Sequence, residues 1–271
     1  IRSHAAGNGP LVEREVVRAM MLLRIATLAK GFSGVRLATV EAYLGLLNSG
    51  LVPAVHEYGS LGCSGDLAPL AHCALVLMGE GEVLDGSVVR PAAAALAEHG
   101  LAPIELAEKE GLALINGTDG MLGQLVLALA DLALLLDTAD LAAALSIEGQ
   151  LGTDRTFAAD LMALRPQLGQ SLSAANLRAF LAGSPILASH RYGDGVVQDA
   201  YSLRCTPQVH GSLGDTADFA RRIAERELAA AIDNPSVLAD GRVESHGNFH
   251  GAPLAHVLDF LAIGVADVAS I

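Results

Sequence analysis

The sequence predicts a mainly α-helical protein, a bundle of long helices with small β-hairpins. Three observations predict it. Of 271 residues, 52% are hydrophobic and 17% charged, with Ala and Leu dominant, no Trp and only 4% aromatics; such a composition favours helix over β-sandwich. Apolar residues recur at helical spacing over long stretches. The strand signals are short, flanking tight turns such as Asp85-Gly86 and Asp240-Gly241.

The elements follow in order. Val16, Met20, Leu23 and Leu28 place a first helix from near Leu11 to a stop at Gly31, and a second fits Val35 to Asn48 before Gly50. A helix over about 66–78 follows a glycine-spaced loop, with Asp66 placed to cap it and Pro69 to stiffen its first turn. Val83-Leu84 and Val88-Val89 read as a hairpin. Pro91 opens a short helix ending at Gly100, and another short helix precedes the loop 114–118. Asp119 begins a long apolar helix to about Glu148. Residues 149–200 hold two shorter helices among Gly, Ser and Pro. A long helix fits Pro207 to Ala231, stopped by Asn234-Pro235. Val237-Leu238 and Val243-Glu244 form a second hairpin, and a last helix starts near His250. Neither repeat nor linker appears, so residues 1–271 read as a single domain. It looks cut at both ends: it begins at Ile1 without a Met and ends at Ile271 inside an apolar helical pattern.

Composition also removes function classes. The net charge is −13 and Lys and Arg do not cluster, which argues against nucleic acid as a partner. Cys63, Cys73 and Cys205 lack metal or disulfide spacing, so a reducing, cytoplasmic setting is expected, with no metal. No signal peptide opens the chain. The most apolar run, Leu125 to Leu136, is broken by Asp131 and followed by Asp137 and Asp140. It reads as a buried bundle helix and not a membrane span.

The stretch Tyr58-Gly59-Ser60-Leu61-Gly62-Cys63-Ser64-Gly65-Asp66-Leu67-Ala68-Pro69-Leu70-Ala71-His72 carries unusual chemistry. Taken alone, it is a glycine-rich turn before a helix, or an anion site; no Gly-Lys-Ser/Thr follows to make a P-loop. It can also make an electrophile from backbone. Gly65 has no Cβ, so its nitrogen can close on the Cys63 carbonyl carbon. Loss of water there, and of a second from the Ser64 side chain, leaves an unsaturated five-membered ring at the positive end of a helix.

This stretch resembles the ammonia-lyase family whose prosthetic group is a 4-methylidene-imidazol-5-one (MIO), and most closely its histidine-acting members. The family usually has Ala-Ser-Gly where this chain has Cys-Ser-Gly, a form associated with actinobacterial members; the first residue lends only backbone. The resemblance runs along the whole chain. It implies a helical bundle of the ammonia-lyase and fumarase type, a homotetramer with active sites shared between subunits, and no metal or diffusible cofactor. The implied reaction is non-oxidative elimination of ammonia from L-histidine to urocanate.

Further segments match in the family's order. Gln198, Tyr201 and Arg204 are spaced by three, which in a helical turn puts them on one face; alone they read as a solvated helix start with one ion pair. The resemblance makes them the stretch that grips the substrate carboxylate, through Arg204, and supports the electrophile. Asn116-Gly117-Thr118 is formally a glycosylation sequon or a helix-entry turn; the resemblance has Asn116 hold the electrophile's carbonyl or the substrate amine. Ser3-His4 matches the selectivity position, with His4 toward the substrate imidazole. His246 and His250 stand four apart like a metal pair, but Gly247 and Gly251 break the helix such a pair needs; the family's Gly-Asn-Phe-His segment makes Phe249 a pocket wall. The resemblance thus marks Cys63, Ser64, Gly65, Asn116 and Tyr201 as catalytic and His4, Gln198, Arg204 and Phe249 as substrate-binding. The family's catalytic tyrosine falls upstream of these residues and its pocket glutamate downstream. Arg165-Pro166-Gln167-Leu168-Gly169-Gln170 departs from the family's Arg-Pro-His-Pro-Gly-Gln. Two alternatives stand beside the histidine reading: a phenylalanine or tyrosine lyase or aminomutase of the same family, which Ser3-His4 counters, and a non-catalytic truncated helical oligomer.

Overall fold

In the computed structural model, which describes residues 1–63, 65–192 and 195–271, the chain forms two compact units. One comprises Ile1–Leu127 with Ile223–Ala255, the other Ala128–Arg222 with His256–Ile271.

The first unit opens with β1 (Asn8–Leu11), α1 (Arg14–Ala29) and α2 (Leu37–Ser49), which Gly50 ends in the left-handed conformation. β2 (Val52–Pro53) and β3 (His56–Tyr58) follow, then α3 (Leu67–Leu77). β4 (Glu82–Asp85) and β5 (Val88–Pro91) form the expected hairpin, which β2 extends to a three-stranded sheet. α4 (Ala92–Glu98), α5 (Glu110–Ala113) and the start of α6 (Asp119–Gly149) complete this stretch. The core packs Val17, Met20, Met21, Leu46, Leu70 and Leu114.

The second unit contains most of α6, a 3-10 turn at Arg155–Phe157, α7 (Ala159–Ala163), α8 (Leu168–Leu181), α9 (Pro185–Ser189), α10 (Tyr201–Arg204) and the start of α11 (Thr206–Ala229). Its core is Ile147, Phe157, Leu177, Leu181 and Leu203. α8 and α11 cross in glycine-to-glycine contact: a Cβ on Gly169 would overlap the Gly211 carbonyl, and one on Gly211 would overlap Gln170 N. Gly169 N also donates to Asp215 Oδ1 at 2.8 Å. Nearby, a buried Asp140 accepts from Ser173 Oγ (2.6 Å) and Asn176 Nδ2 (2.9 Å) and pairs with His210 Nδ1 (2.8 Å).

The chain returns to the first unit at the end of α11. There β6 (Ser236–Val237) pairs with β7 (Val243–Glu244), and α12 (Ala252–Ser270) begins. α12 is apolar and long enough to cross a membrane, yet only 17% of its apolar window is buried.

The mainly helical class and both hairpins are as the sequence predicts. Two strand pairings were not: β1 with β3 and β2 with β4. The first helix starts at Arg14, because residues 8–11 are taken by β1. Between 149 and 200 there is more helix than the two short segments expected, with α8 fourteen residues long.

Candidate active site

The loop 59–66 is held by residues far away in sequence. Gly65 has φ +68°, a conformation glycine adopts without the strain a Cβ brings. A Cβ there would overlap the carbonyl oxygen of Gly117. That same oxygen accepts the Asp66 amide N–H at 2.5 Å. From the other side, Cys63 O accepts from Gly251 N at 3.0 Å, and a Cβ on Gly251 would meet Gly62 O at 2.5 Å. Three glycines therefore converge on this loop because backbone packs on backbone. The sequence-predicted Ser64 lies outside the described residues.

Asp66 occupies the N-cap position of α3 but makes no side-chain cap bond there, which corrects the expected cap. Its carboxylate reaches instead to the start of α6. Oδ2 accepts from Gly120 N (2.7 Å) and Met121 N (2.9 Å), and Oδ1 from Ser60 Oγ (2.7 Å). It thus caps a helix more than fifty residues downstream and satisfies donors that the helix cannot. Burial pushes its carboxyl up, against these three donors.

Beneath the loop lies a buried ionic group. Arg24, 0% exposed, pairs with Asp119 Oδ2 at 3.1 Å and donates to Asn116 O (3.1 Å) and Ile232 O (2.7 Å). Desolvation raises the Asp119 carboxyl to about 6, opposed by Arg24 and helped by Asp66. Gly117 sits over this pair: a Cβ there would collide with Arg24 Nη1 and Asp119 Oδ2.

Asn116 is 5% exposed, which excludes a glycan at this sequon. Its Nδ2 donates to Asn234 O at 3.1 Å, beside the cis Asn234-Pro235 peptide. Asp233 in the same turn pairs with Lys109 Nζ at 2.5 Å. Phe249 is half-buried in the turn before α12, two residues from Gly251. The two histidines around it serve the backbone: His246 Nδ1 accepts Asn248 N (3.1 Å) and its Nε2 meets Ser236 Oγ (2.8 Å), while His250 Nδ1 accepts Ala252 N (3.1 Å). No group of three metal-ligating side chains occurs among the described residues. His4 is exposed, with Nδ1 3.1 Å from Ser3 Oγ.

The structure thus brings Cys63, Gly65, the Asn116-Gly117 turn and the Gly251 end of the Phe249 turn together in the first unit. Gln198, Tyr201 and Arg204 belong to the second. They do not share a helical face as expected: α10 starts at Tyr201, with Gln198 ahead of it in an exposed bend. Asp199 accounts for this, since Oδ2 accepts Thr153 N (2.7 Å) and its backbone O accepts Arg204 Nε (3.0 Å). The chain is tied down before the helix can start. Sequence reasoning missed the buried Arg24–Asp119 pair, the distant cap by Asp66 and the Asn234 anchor. A charged residue in an apolar helical stripe, as Arg24 is in α1, was the one signal available.

All of residues 1–271 match the family model described as aromatic amino acid lyase. The histidine ammonia-lyase of Streptomyces avermitilis is 63% identical over all of this chain, which covers 53% of that relative. The crystal structure of histidine ammonia-lyase from Trypanosoma cruzi superposes with TM-score 0.88 at 41% identity, covering 99% of this chain and 50% of that one. A tyrosine aminomutase from Streptomyces globisporus gives 0.89 at 40% identity, covering 98% and 54%. The chain spans about half the length of the curated relatives it matches.

Proposed function

This chain belongs to the aromatic amino acid lyase family, and we propose that it is the part of a histidine ammonia-lyase that builds and holds the electrophile. On this reading the whole protein eliminates ammonia from L-histidine to give urocanate, and residues 1–271 form one core domain of two units.

The observation that carries it is the cradle at Gly65. A ring closed from Cys63, Ser64 and Gly65 needs a third residue without Cβ, and the Gly117 oxygen stands where a Cβ would be. The residues present fit MIO. Once formed, that ring supplies an electron-poor carbon that activates the substrate for loss of its amine. The other roles belong to ordinary side chains. Arg204, with Nε taken by Asp199 O, holds the substrate carboxylate through its Nη pair. His4 meets the substrate imidazole. Gln198 and Tyr201 order the amino-acid end, and Phe249 lines the pocket. The buried Asn116 amide is directed to Asn234 O, so it steadies the wall beneath the ring. The base for the β-proton and the acidic wall of the imidazole pocket are read as belonging to the rest of the protein.

A homotetramer with shared sites, in the cytoplasm and with neither membrane nor nucleic acid as partner, completes the reading. α12 and the exposed Leu134, Leu145 and Ile263 support it, since apolar faces of this kind mark interfaces. A tyrosine aminomutase reading is favoured by neighbours of 40–41% identity and countered by Ser3-His4.

The test uses the full-length protein. The peptide spanning residues 58–72 should weigh two waters less than its sequence, and histidine should be turned over far faster than tyrosine or phenylalanine. An unmodified peptide overturns the electrophile; a preference for tyrosine overturns the substrate.

A further inference from the structure

Two imidazoles that play no part above hold the segment bearing His4. His72, half-buried on α3, has Nε2 3.1 Å from Gly7 N; His56, in β3, has Nδ1 2.8 Å from Gly9 O. An amide N–H only donates and a carbonyl only accepts, so His72 Nε2 is bare and His56 Nδ1 carries its proton. The rings stand edge to face, 5.4 Å apart at 64°. The clamped chain is tightly seated. A Cβ on Gly7 would lie 2.9 Å from His72 Nε2 and 3.1 Å from the Cβ of His56. Upstream, His4 N and Ala5 N both donate to Ile1 O, and Ala6 N to His4 O. Residues 1–7 are therefore a compact turn whose far end is fixed at His72.

We propose that His72 is a positioning residue for substrate recognition: its bare Nε2, backed by His56, fixes the Gly7 amide and through that turn sets where His4 presents its imidazole. The inference rests on the reading that His4 meets the substrate ring. Burial and the neighbouring His56 both lower the His72 pKa, which favours the neutral ring this bond requires. The acceptor is the essential feature, so an amide oxygen at the same reach can replace it.

The experiment is steady-state kinetics with melting temperatures on the full-length protein. His72→Leu should raise KM for histidine about tenfold with kcat within about twofold, the size of one lost hydrogen bond. His72→Asn, too short to reach Gly7, should do the same and stands in if the leucine variant does not fold. His72→Gln should restore KM to within about twofold. His4→Ala should raise KM, and adding His72→Leu to it should raise KM no further, because both act through one contact. If His4→Ala leaves KM unchanged, the reading of His4 fails and takes this inference with it. If His4→Ala raises KM but the His72 variants lower only the melting temperature, or add their full effect on top of His4→Ala, or Gln does not rescue, the inference alone is overturned.

Discussion

The loop around Gly65 in the first unit and the bend around Gln198 in the second each carry candidate residues, and they are built in opposite ways. The first is backbone pressed on backbone, with every neighbour tied to a distant part of the first unit: Gly117 O, Gly251 N, and the Asp66 carboxylate on the first turn of α6. The second is an exposed segment in which Asp199 accepts from Thr153 N and Arg204 Nε, followed by a Tyr201 that is 69% exposed. Where a chain must distort its own backbone, the surroundings over-determine it.

Mutations can break this contrast. Gly65→Ala has the largest expected effect: the positive φ and the overlap with Gly117 O together should cost about 3–5 kcal/mol, and the peptide 58–72 should keep both waters. Mass spectrometry and a urea titration check this. Arg24→Met comes next. It leaves Asp119 and two carbonyls without their buried partner and should cost about 3–5 kcal/mol, read from the denaturation midpoint. Tyr201→Phe is the counterpart in the second segment: stability should move by less than about 0.5 kcal/mol, while turnover of the full-length protein falls. A large stability loss at Tyr201 would remove the contrast.

Titration sharpens it further. Arg36 beside it, with Thr39 and the amides of Ala107 and Arg36, holds the buried Glu110 carboxyl down at about 2. Its folded pKa lies below its unfolded one, so its contribution is complete above about 4.5 and is lost as pH falls toward about 2. Asp119 has the opposite sign: raised from 3.8 to about 6, its own contribution is complete below 3.8 and is lost as pH rises through about 6. Asp119→Asn should abolish that decline in urea midpoints measured between pH 4 and pH 7, roughly the span of the two titrations. The smallest expected effect concerns thiols. Cys73 is fully buried and its thiol is pushed up to about 12, so it should resist alkylation in the native protein, whereas the exposed Cys63 should react, as counted by intact mass.

Local signals were legible in the sequence and non-local ones were not. Gly50 stops α2 and Asp85-Gly86 turns the first hairpin as predicted, because a few adjacent residues decide both. The β1–β3 pairing joins segments almost fifty residues apart, and each strand alone is too short to announce itself. Asp66 shows the limit most clearly. Its N-cap position was legible, but the helix its side chain caps was not, since only the fold brings α6 to it. Gln198 was misplaced because spacing by three suggests a helix, while Asp199 fixes the bend that precludes one. The candidate residues of the first unit were found through family resemblance; spacing alone left each with an ordinary alternative.

The glycine crossing of α8 and α11 bears on which substitutions this helix start can accept. Gln167 and Leu168 stand where the family's usual sequence has His-Pro, and both face outward, Leu168 at 81% exposure. The very next position, Gly169, touches the Gly211 backbone and donates to Asp215. Side chains are accommodated on one side of this helix start and excluded on the other. A side chain at either Gly169 or Gly211 would meet the backbone of the facing helix, so neither position accepts one unless α8 and α11 move apart.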